Sequence, residues 1–514
     1  MEMKKNPIRK KLIIGLVILL IVIALLGGMM AILISNKMKS FSKLPDLEEL
    51  TLDNITTSEE TNCSINVNWD QKTCDISNDI YGLAWADWLD TLPPKELIDM
   101  LGVSIVRFGG NDFSRFNVMN DTFYKKDAIS KLSSPIGDDM SWFMKNGTDV
   151  ILQINMLGYA KDPITNEMIE ISSPESAVEY IRNFEKIYGL KIQYVCMDNE
   201  PLIWSKTHAD IHADATSYDE YCNKFIDYSS VIKKIDSSIV IMGPESSNPY
   251  YYYNSDSSED NSKGEWLKYF LGVCSKYEDE NGIRILDVLT VHRYPIFRSF
   301  NSNMITSSNQ NILDSIRAWW DKDYQYSGDP TVYGSNGTMT TLKSLIEEVY
   351  PGTKLGITEY NLDFDQNISY DAGVRALWLA DTLGIFASQG IDYAVYWDMQ
   401  DSNSAGLISS EGLKINKFTY GEKNKVFYSF YLMSKYMRGI SVRTESDNKN
   451  IRVYASRQDD SKNIIIINGN CDSDEVCTLQ TGCDDIDNNY LIESMSITVI
   501  SMKEGSNYVY RYKV

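Results

Sequence analysis

The sequence predicts a (β/α)₈ barrel joined to a smaller antiparallel β domain. Three observations predict it: eight short apolar runs separated by helical stretches, a helix-free C-terminal segment of closely spaced strands, and a length of 514 residues that accommodates both. The eight runs are residues 80–85, 104–108, 149–155, 193–197, 239–243, 286–292, 354–358 and 393–397. Turn-bounded runs alternating with helical segments read as βα units on a parallel sheet, and eight of them suit a closed barrel with long loops. An open doubly wound sheet is the competitor, and no GxGxxG follows the first run to support it. The last helical segment, residues 426–437, carries Phe427, Phe430, Tyr431 and Ser434 at helical spacing. Beyond it, residues 451–456, 463–468, 490–493, 496–501 and 508–512 read as an antiparallel sandwich.

The elements in chain order give the domain plan. Residues 1–11 form a basic tail, with Lys4, Lys5, Arg9, Lys10 and Lys11. Residues 12–34 are uncharged and long enough to cross a bilayer core of about 30 Å as one helix. The basic tail favours a cytoplasmic N-terminus, while Lys37, Lys39 and Lys43 beyond the span work against that bias. The expectation is a single-pass anchor with the catalytic domain outside; a cleaved signal peptide, leaving a secreted protein, is the alternative. Residues 35–60 read as a polar stalk, 61–78 as strands joining the β domain, 79–439 as the barrel and 440–514 as the C-terminal sandwich.

Charge narrows the partners. The net charge is −22, and residues 1–44 hold eight Lys/Arg against Glu2, so the remainder is more acidic still, at −29. Such a surface repels nucleic acid and anionic polymers and points to a neutral substrate. The membrane is a partner through the N-terminal helix alone, and oligomeric state is not legible. Eight cysteines, with Cys63 and Cys74 flanking what reads as a short hairpin and Cys471, Cys477 and Cys483 clustered, predict disulfides in an oxidising exterior. No CxxC pair supports a zinc knuckle. The acidic stretch 256–260 is a candidate for structural calcium without EF-hand spacing, and reads equally as a solvated loop. Sequons stand at Asn54, Asn62, Asn120, Asn146, Asn336 and Asn367.

Barrel active sites lie at the C-terminal ends of the strands. Gly109-Gly110-Asn111 follows the second run and Asp198-Asn199-Glu200-Pro201 the fourth; His292-Arg293-Tyr294-Pro295 follows the sixth and Glu359-Tyr360-Asn361 the seventh. The eighth ends in Trp397. Two glutamates therefore face each other across the mouth. A retaining glycosidase needs one carboxylate to attack the anomeric carbon and a protonated partner to serve the leaving oxygen, about 5–5.5 Å away. Glu200 and Glu359 are read as that pair. Asn199 suits the sugar 2-hydroxyl and Trp397 offers an apolar face for stacking. No organic cofactor is implied.

These motifs resemble glycoside hydrolase family 44. The resemblance rests on Asp198-Asn199-Glu200-Pro201-Leu202-Ile203-Trp204, Thr207-His208, His212, Tyr218-Asp219-Glu220, Val106-Arg107-Phe108-Gly109-Gly110-Asn111 and Thr358-Glu359-Tyr360-Asn361, and spans about residues 62–512. It implies a (β/α)₈ barrel with a β-sandwich partner, and retaining endo-hydrolysis of β-1,4-glucans including xyloglucan, with Glu200 in the acid/base position and Glu359 in that of the nucleophile. Ala213, Arg293 and Leu362-Asp363-Phe364 depart from the family pattern and bear on backbone preference. A mannanase or xylanase on the same scaffold, or a silent carbohydrate-binding surface protein, are the competing readings.

The remaining candidates each have two readings. Asn111, Trp204, His208, His292 and Tyr294 are read as substrate-binding; for His208 and His212, bracing the loop after strand four is the alternative. The two stand four apart, yet Ala209 occupies the glutamate position of a zinc-protease motif, so no metal is assigned. His292 is placed to orient the acid/base or contact sugar. Glu245 is either a third carboxylate of the site or an ordinary loop acid. Residues 250–253, with Trp85 and Trp88, are stacking platforms or core, and Trp319-Trp320 reads as core.

Overall fold

The structure, a computed structural model, describes residues 28–514 except 34, 37–40, 42, 87, 89–90, 300–302, 325–336, 366–367 and 416. The eight predicted runs form one closed parallel barrel in chain order: Gly82–Trp85, Ile105–Phe108, Asp149–Ile154, Tyr194–Met197, Val240–Ser246, Val288–Arg293, Lys354–Tyr360 and Tyr393–Tyr396. Closure comes from the eighth strand pairing with the first, with Tyr396 opposite Leu83. The barrel floor is filled by Ala84, Ile105, Ile151, Cys196, Met242, Val288, Tyr393 and Val395. These come from seven of the eight strands, and alternation along each strand turns the next residues outward under the helices.

Helices such as Pro174–Tyr188 and Tyr218–Ile235 follow the pattern of capped amphipathic segments. Ser173 and Ser217 accept from backbone amides of their first turns, and Gly189 ends the first helix in the left-handed conformation. Helix Ala372–Gln389 is buried on almost every face, because it lies between barrel and sheet domain.

The sheet domain has nine strands among the described residues, ordered Leu47–Leu50, Ser506–Lys513, Ser496–Lys503, Ser461–Asn468, Ile451–Gln458, Ile440–Ser446, Cys63–Asp75, Glu475–Gln480 and Asn489–Ile492. All pairings are antiparallel except Cys63–Asp75 with Glu475–Gln480, which is parallel. Its own core gathers Ile65, Val67, Val442, Ile464, Ile466, Leu479, Ile492 and Ile500.

Three expectations are corrected: the stalk, the Cys63–Cys74 hairpin and the disulfides. The stalk of residues 35–60 is in large part built into the fold: Leu47–Leu50 pairs with the last strand, Glu48 bonds Arg511, Ile55 is buried, and Phe41 packs edge-on against Tyr420. Sparse apolar residues among acids concealed an edge strand. Cys63 and Cys74 lie on one long strand rather than on a hairpin, so even with its register shifts they stand roughly 20 Å apart and cannot bridge. All eight cysteines are free thiols. As for the anchor, residues 12–27 of the expected span lie outside the described residues. Among the described residues no helix is long and apolar enough to cross a membrane.

Helix Ala372–Gln389 meets strand Ile451–Gln458 through Gly384, where a Cβ would stand 2.3 Å from the Tyr454 ring. That ring cannot swing away, because its hydroxyl donates to Asp381. Gly384→Ala is therefore expected to destabilise the protein by about 1–3 kcal/mol, the cost of overpacking, which outweighs the roughly 1 kcal/mol of helix propensity gained. Urea unfolding checks this; a midpoint at or above wild type would contradict the close packing.

Candidate active site

The site begins one layer above the barrel floor, with Arg107. Its strand is otherwise apolar, and the guanidinium is fully buried. Nη1 donates to Glu359 Oε1 at 2.6 Å and Nη2 to Asn199 Oδ1 at 2.8 Å, while Glu245 Oε2 lies 3.2 Å from Nη2. Burial opposes its charge, but Glu245 and Glu359 more than offset that and raise its pKa. Arg107 thus ties together the ends of strands four, five and seven.

The chain turns sharply after strand four. Asp198 and Glu200 both adopt the left-handed conformation, with φ of 63° and 43°, and so does Glu245 after the cis Gly243-Pro244 bond, with φ of 54°. Non-glycine residues hold such angles only where their surroundings compensate, and these cluster at functional sites. Here the anchors are visible. Buried Asp198 accepts from Ser114 and from the amides of Met156 (2.5 Å), Leu157 (2.9 Å) and Asn199 (2.8 Å). The Glu200 amide donates to the Glu245 carbonyl at 3.1 Å.

Glu200 and Glu359 then come together. One oxygen of each, with a ring nitrogen of His292, all lie within 4.8 Å of one another. The Glu359 side chain is 8% exposed and accepts from Arg107 and from the Tyr294 hydroxyl at 2.8 Å. The Glu200 side chain is 12% exposed and faces His292 Nδ1 at 3.0 Å. Burial raises its carboxyl above the ordinary range, only partly countered by the His292 hydrogen bond. His292 is fully buried, and its Nε2 lies 2.8 Å from Glu245 Oε2. Burial opposes its charge, but Glu359, Glu200 and Glu245 around it prevail and lift the imidazole to about 9.

Trp397 lies at the end of strand eight, half-buried, with its ring 5.9 Å from that of exposed Trp88. Its carbonyl accepts from Asn361, whose own amide oxygen takes Arg375 Nη1 at 2.7 Å. Gly110 is needed here, since a Cβ would stand 2.8 Å from the indole. Asn111 is exposed at the mouth and accepts from Asn199 at 3.2 Å.

Several substrate-binding expectations are corrected by burial. Trp204 is fully buried; its Nε1 donates to the Asn199 carbonyl at 3.1 Å and its ring meets His212 and Tyr221, so it supports the loop rather than a sugar. His208 is 1% exposed, held between Thr207 and the Asn111 carbonyl, and burial with the Arg115 charge pushes it down to about 4. His212 pairs instead with Glu220 at 2.9 Å, so the two histidines do not share a metal geometry. His292 is fully buried against the carboxylates, which leaves it orienting the pair, while Tyr294 donates to Glu359 and is as exposed as that carboxylate. Tyr251 and Tyr252 are buried too, with Tyr252 donating to the His292 carbonyl. Trp85 stacks on Phe108 as core. In the acidic stretch, Asp256 and Asp260 are engaged by Lys206 and Lys263.

Sequence reasoning gave no role to Arg107 and left Glu245 open. A charged residue inside the apolar run Ile105–Phe108 was the available signal for the first.

Residues 68–296 match the model of glycoside hydrolase family 44. The chain is 30% identical over 313 residues to endoglucanase A of Paenibacillus lautus, an alignment covering 57% of this chain and 42% of that protein. It therefore spans less than half of that relative's length. A bifunctional glucanase-xylanase protein from a metagenome library shares the fold with a TM-score of 0.68 at 20% identity, over 88% of this chain and 99% of that one. A family 44 xyloglucanase from Paenibacillus polymyxa, solved with xyloglucan, does so with a TM-score of 0.64 at 18% identity over the same shares.

Proposed function

We propose, from the match of residues 68–296 to the model of glycoside hydrolase family 44, that this chain is a retaining endo-hydrolase of β-1,4-glucans, with Glu359 as nucleophile and Glu200 as acid/base. The observation that carries the reading is the approach of the two carboxyls to within 4.8 Å. With one oxygen of each inside that limit, the pair fits the carboxyl spacing of retaining enzymes, about 5–5.5 Å, better than the 6.5–9.5 Å or so that leaves room for an inverting water. In the first step Glu359 bonds to the anomeric carbon as the glycosidic bond breaks, and the Glu200 proton passes to the leaving oxygen. In the second, Glu200 takes a proton from water, the oxygen of that water bonds to the anomeric carbon, and Glu359 leaves. The raised carboxyl of Glu200 suits the donor; Arg107 and Tyr294 suit an ionised nucleophile. Two carboxyls carry out this chemistry without a cofactor.

Trp397 and Trp88 supply apolar faces at the mouth for sugar rings, and the acidic surface favours a neutral polymer. Xylan is the competing substrate, since the metagenome relative acts as a glucanase and a xylanase. Release of reducing ends from carboxymethyl-cellulose, xyloglucan, xylan and mannan by residues 44–514 decides among them. Cleavage of a β-1,4-glucan supports the proposal; folded protein that binds glucan without cleaving any polymer makes it a binding protein.

The same proposal holds the enzyme at the outer face of a membrane through residues 12–34. Their 23 uncharged residues support it, as do the exposed Met29, Met30, Ile32 and Leu33 at the described end of that segment. The full chain is expected to remain in the membrane fraction through alkaline carbonate washing, while residues 44–514 are soluble. Full-length chain released by the wash would sink the anchor.

A further inference from the structure

Three carboxyls, not two, meet two cations at the centre of this barrel. Glu200, Glu245 and Glu359 are the acids; Arg107 and His292 are the bases. Glu245 never reaches the mouth, for it is fully buried beneath His292. Its Oε2 alone takes Thr358 Oγ1 at 2.6 Å, His292 Nε2 at 2.8 Å and Arg107 Nη2 at 3.2 Å, while its Oε1 is buried without a hydrogen-bond partner. Leaving one oxygen of a buried carboxylate unsatisfied is a poor arrangement for stability alone. It is a good one for aiming a single negative oxygen at His292.

We propose that Glu245 is a positioning residue of this site: it holds His292 as an imidazolium whose Nδ1–H is directed at Glu200, and so leaves Glu200 as the carboxyl that carries the spare proton. Two cations balance two carboxylates in a buried cluster, and a third ionised carboxyl would leave a net charge there. Glu245 has Arg107, Thr358 and His292 on its one oxygen, and Glu359 has Arg107 and Tyr294. Glu200 has His292 alone among these groups. The proton therefore sits where the fewest donors stabilise a charge. When Glu200 gives it up to a leaving oxygen, the imidazolium is already in place to stabilise the carboxylate that remains.

The charged and titratable groups around His292 are Glu200 from the end of strand four, Glu245 from strand five, Glu359 from strand seven and Arg107 from strand two, with the Tyr294 hydroxyl on Glu359 and the Tyr252 hydroxyl on the His292 carbonyl. Replacing Glu245 by glutamine removes one negative charge and leaves the others. The coupled Glu200–His292 pair then binds protons less tightly, so its first proton leaves at lower pH.

The chain has three histidines, so ¹³C-histidine labelling gives three imidazole signals, assigned by replacing His208 and His212 singly. In the wild type, His292 is expected to carry protons on both nitrogens at pH 7 and to titrate near 9. In Glu245→Gln its titration should fall by about one unit or more, while His208 and His212, which do not touch Glu245, stay put. A neutral His292 in the wild type at pH 7 overturns the proposal without any variant. So does an unmoved His292 titration in a folded Glu245→Gln protein. The activity arm rests on Glu200 as proton donor: the alkaline limb of kcat/KM on an aryl cellobioside should move to lower pH in Glu245→Gln, and a uniform loss with an unmoved limb counts against the positioning role. If the wild type cleaves no glycoside, the functional reading fails, and the histidine spectra still decide this inference.

Discussion

Glu359→Ala should lower kcat/KM on β-1,4-glucan and on aryl cellobiosides alike, by about 10⁴-fold or more, on the order of 5 kcal/mol of transition-state stabilisation. Both substrates suffer because neither can form the glycosyl-enzyme, however good the leaving group. The loss is chemical in origin: Glu359 sits at the end of strand seven, and Arg107 keeps Glu245 and Asn199 as partners once its bond to Glu359 Oε1 is gone. The variant should therefore fold, and a thermal melt verifies this. Azide, small enough to enter the space vacated, should restore cleavage of an activated aryl glycoside and give the α-glycosyl azide, because it attacks from the nucleophile's side. Equal activity of wild type and Glu359→Ala on either substrate would remove Glu359 from the mechanism.

Glu200→Ala should behave differently on the two substrates. With a polymer, whose leaving alcohol needs a proton, the loss should reach about 10²–10⁴-fold. With a dinitrophenyl cellobioside, whose leaving group departs as an anion, the first step should hold within about tenfold and deacylation should become limiting. Azide then intercepts the glycosyl-enzyme on the opposite face and yields the β-glycosyl azide. The wild-type profile carries the same information: burial lifts the Glu200 carboxyl above its ordinary range, so it is protonated below that raised value, and activity falls as pH rises through it. Equal losses on both substrates, or an α-azide from Glu200→Ala, would contradict its assignment as proton donor.

Much of the architecture was legible because it is repetitive. Each barrel strand is an apolar run between helical segments, and all eight runs closed into one barrel within a few residues of the expected bounds. Less legible were elements whose signal is short or diluted. Leu47–Leu50 reads as stalk because two of its four residues are glutamates on an edge strand. Cys63–Asp75 reads as a hairpin because its polar end resembles a turn, whereas register shifts against Ile440–Ser446 absorb those residues into one strand. Small pieces over the mouth, such as Thr122–Lys125 with Ala128–Lys131, left no periodicity long enough to detect.

The site divides along the same line. Glu200, Glu359 and Trp397 announce themselves by falling at strand ends, where a barrel places chemistry. Trp204 and His208 belong to the same stretch of sequence, yet the turn that aims Glu200 at the cleft folds them beneath it. Proximity in sequence to a catalytic residue says nothing about which way a side chain faces after a left-handed residue. Arg107 and Glu245 reach the site through a closed barrel, a contact set between strands two, five and seven that no local pattern encodes.

The central claim is that Glu359 forms the glycosyl bond while Glu200 manages the proton. Incubation of residues 44–514 with dinitrophenyl 2-deoxy-2-fluoro-β-cellobioside, followed by peptide mass mapping, tests it most directly. One fluorocellobiosyl adduct per chain on the peptide bearing Glu359 is the predicted result. An adduct on Glu200 or Glu245, or turnover that releases the α-anomer first with no adduct at all, would contradict it.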